Sequence, residues 1–540
     1  MIKITEVLIM AKKITSIILA FAVILTAFAI PASATEVTSD VERGFYRFVD
    51  DLLDTIVTGI AYMIVEPSHF VYKDDYVSEN FYEGHTPEDF LDAPAENAQW
   101  SLGYSNASIL TGNELTEEHY VGGSLSVSKK LATAQFDDQK IRTVAISDGR
   151  GISIFASIDT FGLANNEVRV IREKFQAYAD SKGLEITSIN ISALHQHSCV
   201  DTFGLNGDIV NALFTSSIKN LLGMELPSGK NKNFMENLYK VSVQSMIDAV
   251  EDMEAGNLYY GTGDISEYIR DKRFPKVSDG NLNRLRFAPA DGSEETWIVN
   301  LPIHAVGHGA GGTVLTADYP FYMEKYINEN AGANFMMILG AELAITSEYP
   351  EDIYRDPEIT AEYDDGYAGL ITFGNILGEI ACSISNDEIV APILNIRHTE
   401  FFVPVSNSIF KLAARGGLLT NDVVKNGLDY EVVTELGYAE FGTNLAIAIV
   451  PGELAPEIAY GGAITAEDSW DGTEWNYSSF AEVTDRKLLV FGITNDQIGY
   501  MMTDNDWRSY LTENEEIVST GPKAGAYVAD TYLTLFDEIN

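Results

Sequence analysis

Short apolar segments rich in β-branched residues alternate with amphipathic segments from about residue 100 onward. Two such segments are predicted strands, because β-branched residues favour the pleated sheet: KIRTVAISD (140–148) and GISIFASIDTFGL (151–163). The next segment, NNEVRVIREKFQAYADSKG (165–183), has helical spacing and a closing glycine, which predicts a helix ending at Gly183. A third predicted strand follows it, LEITSINISAL (184–194). This alternation restricts the chain to folds that layer helices on sheets.

The same alternation continues to the end of the chain. The segment NFMENLYKVSVQSMIDAVEDMEAG (233–256) predicts a long helix that ends at a glycine. Four later segments have a β-rich apolar core followed by a turn or a helix start: TWIVNLPIHAV (296–306), NFMMILGAEL (334–343), LAIAIVPGEL (445–454) and KLLVFGITN (487–495). We therefore predict an α/β fold with mixed β-sheets covered by helices, forming one large catalytic-type domain over residues 98–540.

The N-terminal residues have the composition of a secretory signal peptide. Lys12 and Lys13 precede an apolar run over residues 14–30, and the small residues ASA follow at 32–34. The run is shorter than the ~20 residues of a membrane span, which disfavours an uncleaved anchor. We expect residues 1–34 to be cleaved after Ala34 and the protein to be secreted or extracytoplasmic. Residues 35–97 would then form an amphipathic helix (44–65) and a polar surface excursion.

The charge balance excludes one class of partner. The chain has 80 acidic residues and 35 Lys and Arg, for a formal net charge of −45. Such a surface repels phosphate backbones, so we expect no nucleic-acid partner. The only cysteines are Cys199 and Cys382, which could pair in an oxidising compartment or stay as two thiols.

Two histidines stand one residue apart at the end of a predicted strand, in SINISALHQH (188–197). Alternation along an extended strand turns His195 and His197 to the same side. Two imidazoles presented together suit zinc or a similar ion, and exposed or core histidines are the alternative.

Three further motifs carry candidate ligands. His304 follows a predicted strand and precedes a glycine-rich turn that lacks the phosphate-loop pattern; His308, in that turn, is a weaker candidate. Glu453 lies where VPGEL (450–454) turns into a helix, a position that also favours an acidic residue for helix-dipole reasons. Tyr500 follows the polar turn after the last predicted strand.

Taken in order, these motifs resemble those of the neutral/alkaline non-lysosomal ceramidase family. In that family a strand ends in T-H-T-H-S-G-P. Three further motifs follow in order: a histidine after an apolar strand, the sequence V-P-G-E, and a tyrosine after a polar turn. The corresponding stretches here are LHQHS, NLPIHAVGH, VPGEL and TNDQIGY. Shorter similarities occur in WSLGYSNASILTG (100–112), SIDTFGL (157–163), TADYP (316–320) and ENEEIVSTGPKAG (513–525), so the resemblance extends from about residue 98 to 535.

The resemblance implies a zinc site and a reaction. It implies that His195, His304, Glu453 and Tyr500 hold Zn²⁺, with His197 beside the metal to position or polarise the substrate. It also implies that the protein is a zinc-dependent amidohydrolase, cleaving the N-acyl amide of ceramide or a related lipid with metal-activated water. Such a substrate allows transient contact with a membrane surface. Asp201 or Asp318 could orient a ligand from behind.

Three departures from the family pattern bear on the substrate. Cys199 and Val200 replace the family's G-P after the histidines. The family's serine-bearing segment, G-D-V-S-P, aligns with ILGAELAITSE (338–348), which has Ala341 for the aspartate and Leu343 near the serine. We also expect the family's C-terminal β-sandwich to be missing. A zinc hydrolase of another amide or ester, and a non-catalytic secreted binding protein, are the alternatives. The chain has neither H-E-x-x-H nor G-x-S-x-G, which disfavours a conventional metalloprotease and a Ser-His-Asp hydrolase.

Overall fold

The structure is a computed structural model. It describes residues 40–68, 70–123, 129–224, 226, 229–307, 309, 312–349, 359, 365–511 and 515–540. The predicted signal peptide (1–34) and His308 lie outside these residues. Within the described ranges, no helix combines the length and apolar character needed to cross a membrane.

The described residues form the following elements. The α-helices are α1 (Asp40–Ala61), α2 (Asn165–Lys182), α3 (Ile209–Leu222), α4 (Lys232–Glu251), α5 (Asp318–Ala331), α6 (Asp365–Ser383), α7 (Ser408–Gly416), α8 (Pro456–Tyr460) and α9 (Ala524–Ile539). The strands are β1 (Val71–Tyr72), β2 (Trp100–Ser108), β3 (Ala134–Gln135), β4 (Lys140–Ser147), β5 (Ile152–Ile158), β6 (Ile186–Ala193), β7 (Glu254–Asp264), β8 (Ile269–Asp271), β9 (Asn281–Pro289), β10 (Thr296–Leu301), β11 (Val314–Leu315), β12 (Asn334–Leu339), β13 (Ile345–Ser347), β14 (Glu388–Val390), β15 (Leu394–Pro404), β16 (Val423–Asn426), β17 (Asp429–Phe441), β18 (Leu445–Ile449), β19 (Glu453–Leu454), β20 (Lys487–Phe491) and β21 (Tyr500–Met501).

Two large mixed sheets dominate the fold. One has nine strands in the order β12-β10-β9-β7-β2-β4-β5-β6, with β14 also paired to β7. The other has six strands in the order β1-β16-β17-β18-β20, with β15 also paired to β17. Strands β5 and β6, β10 and β12, and β18 and β20 pair in parallel, whereas most other neighbours are antiparallel. The predicted mixed α/β class is confirmed.

The two sheets stack face to face between helices. One apolar cluster contains side chains from both sheets, such as Trp100 and Phe155 from the nine-stranded sheet and Phe441 from the six-stranded sheet. Helices α2, α4, α5 and α6 cover the outer face of the nine-stranded sheet, and α9 covers the six-stranded sheet. Each fully buried large apolar side chain contributes about 1.5–3 kcal/mol, so this central layer is a main source of stability.

Most local predictions agree with the structure, but two helices have other bounds. Helix α1 covers Asp40–Ala61, four residues earlier at each end than the predicted 44–65. Helix α2 ends at Gly183, which adopts φ 67° in the left-handed region, as the sequence predicts. The prediction that the helix starting near residue 233 continues to Gly256 is wrong: α4 ends at Glu251. Gly256 lies in β7, where a Cβ atom would stand 2.4 Å from the carbonyl oxygen of Ala288. Pairing of β7 with β9 over nine residue pairs outweighs the glycine signal.

Cysteine pairing and the excursion after α1 are also resolved. Cys199 is buried and Cys382 is partly buried, and both are free thiols. The polar segment that follows α1 runs partly along β15, where the His85 backbone N–H donates to the Ile396 carbonyl at 2.7 Å.

The chain that follows β20 brings several strand ends together. The Gly492 N–H donates to the Leu339 carbonyl at the end of β12, at 2.9 Å. The Ala193 N–H at the end of β6 donates to the Ile493 carbonyl at 3.0 Å. The turns after β6, β10, β12, β18 and β20 therefore meet at one edge of the molecule, which is where the candidate site lies.

Candidate metal centre

His195 and His197 lie in a tight turn after β6. The strand ends at Ala193, so the two rings are brought together by a turn rather than by strand alternation. His195 adopts φ 52°, in the left-handed region that few residues other than glycine occupy. Its ring stacks on Phe161 with centroids 4.3 Å apart, and the centroids of His195 and His197 are 4.7 Å apart.

His304 comes from the turn after β10 and completes a group of three imidazoles. Ring nitrogens of His195, His197 and His304 all lie within 4.8 Å of one another. His195 and His304 are buried, whereas His197 is partly exposed. Three imidazole nitrogens at this spacing could hold a metal ion.

Glu453 and Tyr500 approach the histidines from a separate two-stranded sheet. They are register partners in the short parallel pair of β19 and β21, so their side chains lie on one face. Glu453 Oε2 lies 3.0 Å from His304 Nε2 and 3.4 Å from His195 Nε2. The hydroxyl of Tyr500 is coupled to the Glu453 carboxylate by a hydrogen bond and by charge.

Backbone carbonyls set which ring nitrogens face Glu453. His195 Nδ1 is 2.8 Å from the Phe161 carbonyl, and His304 Nδ1 is 2.8 Å from the Ile345 carbonyl. A carbonyl oxygen can only accept, so both Nδ1 atoms carry a hydrogen and Nε2 is the ring atom that faces Glu453 in each histidine. Two imidazole nitrogens and a carboxylate oxygen this close together repel one another unless a cation, either a proton on Nε2 or a metal ion, lies between them. The donor set therefore fits a metal ion.

A glutamine orients the carboxylate. Gln497 Nε2 donates to Glu453 Oε1 at 3.0 Å, which leaves Oε2 directed at the two histidines. A second glutamine, Gln196, lies between His195 and His197 in sequence and points the other way. Its Nε2 donates to Asp159 Oδ1 at 2.7 Å and to the Ala317 carbonyl at 3.2 Å. These bonds anchor the turn that carries both histidines to the protein interior.

His197 differs from the other two histidines because its ring is not committed. Neither of its ring nitrogens makes a hydrogen bond within the described residues. Gly123 passes so close that a Cβ atom built there would lie 2.1 Å from His197 Cα. Burial, reinforced by His195 and His304, holds the pKa of His197 well below its usual range. The ring is thus neutral at pH 7 and able to bind a further group.

Burial and neighbouring charges shift the pKa values of His304, Glu453 and Tyr500. Burial lowers the pKa of His304, so the ring is neutral. Burial works to raise the pKa of Glu453, yet His195 and His304 together hold it well below the ordinary value, so the carboxyl is ionised. Burial, with the charge of Glu453 beside it, raises the pKa of the Tyr500 hydroxyl well above its usual range. Neutral imidazoles and an ionised carboxylate are the forms that bind a metal.

The structure brings together all five residues named from the sequence: His195, His197, His304, Glu453 and Tyr500. The suggestion that an aspartate orients a ligand has no support, because backbone carbonyls perform that task. Asp201 instead accepts from the N–H groups of Phe203, Gly204 and Asn206 in its own loop. Asp318 accepts from the N–H of Tyr319 at the start of α5.

Two site residues escaped sequence reasoning. Gln497 lies inside TNDQIGY, but a lone glutamine in a polar turn carries no signal of its partner. Glu342 lies inside the segment that aligns with the family's serine motif. It is completely buried, and the burial, together with the charge of Glu453, raises its pKa well above the ordinary value.

The fold and the cluster together define a two-layer mixed-sheet protein with a candidate metal centre at one edge. The structure is similar to that of neutral ceramidase from Pseudomonas aeruginosa, with a TM-score of 0.58 and 17% identity, covering 81% of this chain and 74% of that chain. It is also similar to a ceramidase complexed with C2, with a TM-score of 0.55, 16% identity and the same coverage. No protein-family model matches the chain, and no curated protein sequence matches it significantly. The chain thus has a neutral-ceramidase-like fold.

Proposed function

We propose that the protein is an extracytoplasmic, zinc-dependent amidohydrolase that cleaves an N-acyl amide. The observation that carries this proposal is the convergence of the Nε2 atoms of His195 and His304 on one oxygen of an ionised, buried Glu453. An arrangement of that kind, beside an uncommitted third histidine, is the donor set of a catalytic zinc site rather than of a structural one.

In this proposal His195, His304, Glu453 and Tyr500 hold the zinc ion. A zinc ion there would supply a Lewis acid and lower the pKa of a bound water to about 7. The chain's own residues prepare the site for it. Phe161 and Ile345 fix the two imidazole tautomers through their carbonyls, and Gln497 orients the carboxylate.

His197 is the residue that serves the substrate. The one N–H group of its neutral ring can donate a hydrogen bond to the oxygen that becomes negative as water adds to the amide carbonyl. Burial of the surrounding side chains excludes bulk water and strengthens that hydrogen bond. The nitrogen of the departing amine needs a proton, and the attacking water gives one up. The bare nitrogen of the neutral His197 ring can take that proton and pass it to the amine.

The proposed substrate class rests on the fold and on one departure from the family's serine motif. The two similar structures are named as ceramidases, which favours an N-acyl lipid amide as the substrate. However, Leu343 stands where the family's serine aligns, and its side chain is buried. This departure favours a second candidate, a zinc hydrolase of another amide or ester with water as the sole nucleophile.

The location rests on the predicted signal peptide over residues 1–34. We propose secretion or retention outside the cytoplasm, with no nucleic-acid partner because of the net charge of −45. Contact with a membrane surface would be transient and would serve to extract a lipid substrate.

The test is metal content and hydrolysis in one set of variants. The purified protein is expected to contain about one zinc per chain and to release fatty acid from a fluorescent short-chain ceramide. His304→Ala and Glu453→Gln should lose both zinc and hydrolysis. The matched control is His398→Gln, which removes a buried histidine outside the site and should keep both.

Each outcome separates the candidates. Zinc with hydrolysis of other acyl amides or esters, but not of ceramide, favours the second candidate. Zinc without hydrolysis of any acyl compound indicates a binding protein. Absence of bound metal after dialysis against zinc would overturn the proposal.

A further inference from the structure

Glu342 lies in a short segment whose backbone bonds both to His304 and to the residue after Glu453. The backbone carbonyl of Ile345 accepts from His304, both from its N–H at 3.2 Å and from its ring Nδ1 at 2.8 Å. The N–H of Leu343 donates to the carbonyl of Leu454, the residue after Glu453, at 3.2 Å. Glu342 therefore lies in a loop held between His304 on one side and Glu453 on the other.

The carboxyl group of Glu342 is buried without a partner. The residue has 0% relative exposure, and neither Oε1 nor Oε2 makes a hydrogen bond within the described residues. Room for it depends on Gly492, where a Cβ atom would stand 2.8 Å from Glu342 Oε2. A buried polar group without a partner costs free energy, so a chain that keeps one has a reason elsewhere.

The charges around Glu342 include no counter-charge for its carboxyl group among the described residues. Within the part of the chain that the structure describes, Glu453 is the one charged side chain that acts on it, and a Glu342 carboxylate would have the same sign. The hydroxyl of Tyr319, also close by, donates instead to the Ile303 carbonyl at 2.6 Å. Tyr500 feels the charge of Glu453, Glu515 and Glu342 together. Glu515 pairs with Arg273 at 3.8 Å, and Lys272 acts on His304, whereas no described basic side chain acts on Glu342.

We propose that Glu342 is a positioning residue for the cation, a second buried carboxylate whose charge raises the affinity of the centre for a divalent metal ion. The inference rests on the proposed function, because it requires that the centre holds a metal. One carboxylate with neutral histidines leaves a doubly charged cation half compensated. Glu342 supplies the second negative charge when the bound cation displaces its proton to solvent. Glu342 acts on the cation through its electrostatic field and is not itself a metal ligand.

The proposal predicts a pattern that a structural role would not produce. If the carboxyl served packing alone, its replacement would lower the stability of the metal-free protein. If it serves the cation, Glu342→Gln replaces a carboxyl group that burial and Glu453 keep protonated in the metal-free protein, so the metal-free variant should be as stable as the wild type. Its zinc affinity should fall roughly 10–100-fold, the range for residues that act behind metal ligands.

The experiment measures zinc dissociation constants by competition with a fluorescent chelator, and melting temperatures with EDTA and with zinc. Glu342→Gln is compared with Glu342→Asp, which keeps the charge and should retain zinc affinity within a few-fold of the wild type. The matched control is Glu457→Gln, another buried carboxyl, in α8, whose charged neighbours are Asp506, Arg273 and Asp271; its zinc affinity should be unchanged.

The results distinguish failure of this inference from failure of the proposed function. Wild-type protein that binds no zinc overturns both. Zinc binding that is lost in His304→Ala but unchanged in Glu342→Gln overturns the role of Glu342 and leaves the proposed function standing. A metal-free Glu342→Gln that is less stable than the wild type, or does not fold, assigns the carboxyl to structure and also overturns the inference.

Discussion

Two buried polar clusters lie on either side of Gln196, and they differ in whether their charged groups find partners within the protein. On one side is the candidate metal centre. On the other is an ion cluster, which we define as Arg142, Asp159 and Glu324. Arg142 donates to Asp159 Oδ1 at 3.0 Å and to Glu324 Oε2 at 2.6 Å and 3.1 Å. Lys140 Nζ adds a contact of 3.3 Å to Glu324.

The ion cluster is complete in the protein alone, whereas the metal centre is not. In the ion cluster each negative side chain faces a guanidinium or an ammonium group. In the metal centre, Glu453 faces two imidazole nitrogens, and a second carboxyl group, that of Glu342, has no hydrogen-bond partner among the described residues. A buried cluster that satisfies itself supports the fold, and one that is left incomplete indicates where a ligand binds.

The largest expected effect tests the ion cluster as part of the fold. Arg142→Met leaves Asp159 and Glu324 buried without their main counter-charge, which should lower the free energy of unfolding by about 3–5 kcal/mol. Urea unfolding followed by circular dichroism measures this loss. Arg270→Met is the control, because its partner Glu348 is 3.9 Å away and both side chains are more than half exposed, so its loss should stay under about 1 kcal/mol. Equal losses in both variants would refute the contrast.

A second test separates the burial of an imidazole from metal binding. His398 is buried on β15, with Nε2 2.8 Å from Asn190 Oδ1, and burial lowers its pKa to about 4. Below the ordinary histidine pKa of about 6.5 the unfolded chain binds a proton that the folded chain does not. The neutral, buried His398 therefore makes its whole contribution to the free energy of unfolding above pH 6.5. That contribution is lost as the pH falls to 4, and the loss is about 3 kcal/mol at most.

The variant for this test is His398→Gln, measured by urea unfolding at pH 7 and pH 4.5 with EDTA present. The variant should lose less stability than the wild type between the two pH values. Its zinc content should equal that of the wild type. A pH dependence as steep as that of the wild type would show that His398 does not titrate as its burial predicts.

The smallest expected effect concerns the residue that aims Glu453. Gln497→Ala removes the hydrogen bond to Glu453 Oε1 and should weaken zinc binding roughly 10–100-fold while leaving the fold intact. Chelator competition measures the change. The control is Gln176→Ala, which removes a half-buried glutamine on α2 whose side-chain amide hydrogen-bonds to Tyr82 and Asp180. Unchanged zinc affinity in Gln497→Ala would mean that the backbone of β19 alone positions the carboxylate.

The sequence predicted the layered α/β class and the segments whose ends meet at the site, because strand periodicity and the H-x-H and P-G-E motifs are local patterns. It did not predict the ion cluster, because Arg142 and Glu324 are 182 residues apart and each reads as an ordinary polar residue. Gln497 and Glu342 were missed for the same reason: their partners belong to other turns. The end of α4 was misplaced because pairing of β7, a tertiary contact, overrides a local glycine signal.

The left-handed backbone of His195 has a consequence for how mutations at this position are interpreted. Histidine, asparagine and aspartate tolerate that conformation better than most residues, whereas an alanine there pays about 1–2 kcal/mol in backbone energy. An alanine scan would thus report two changes at once, a lost imidazole and a reshaped turn. Replacement by asparagine removes the imidazole and keeps the turn, so the difference between the Asn and Ala variants separates what the side chain binds from what the backbone shape contributes.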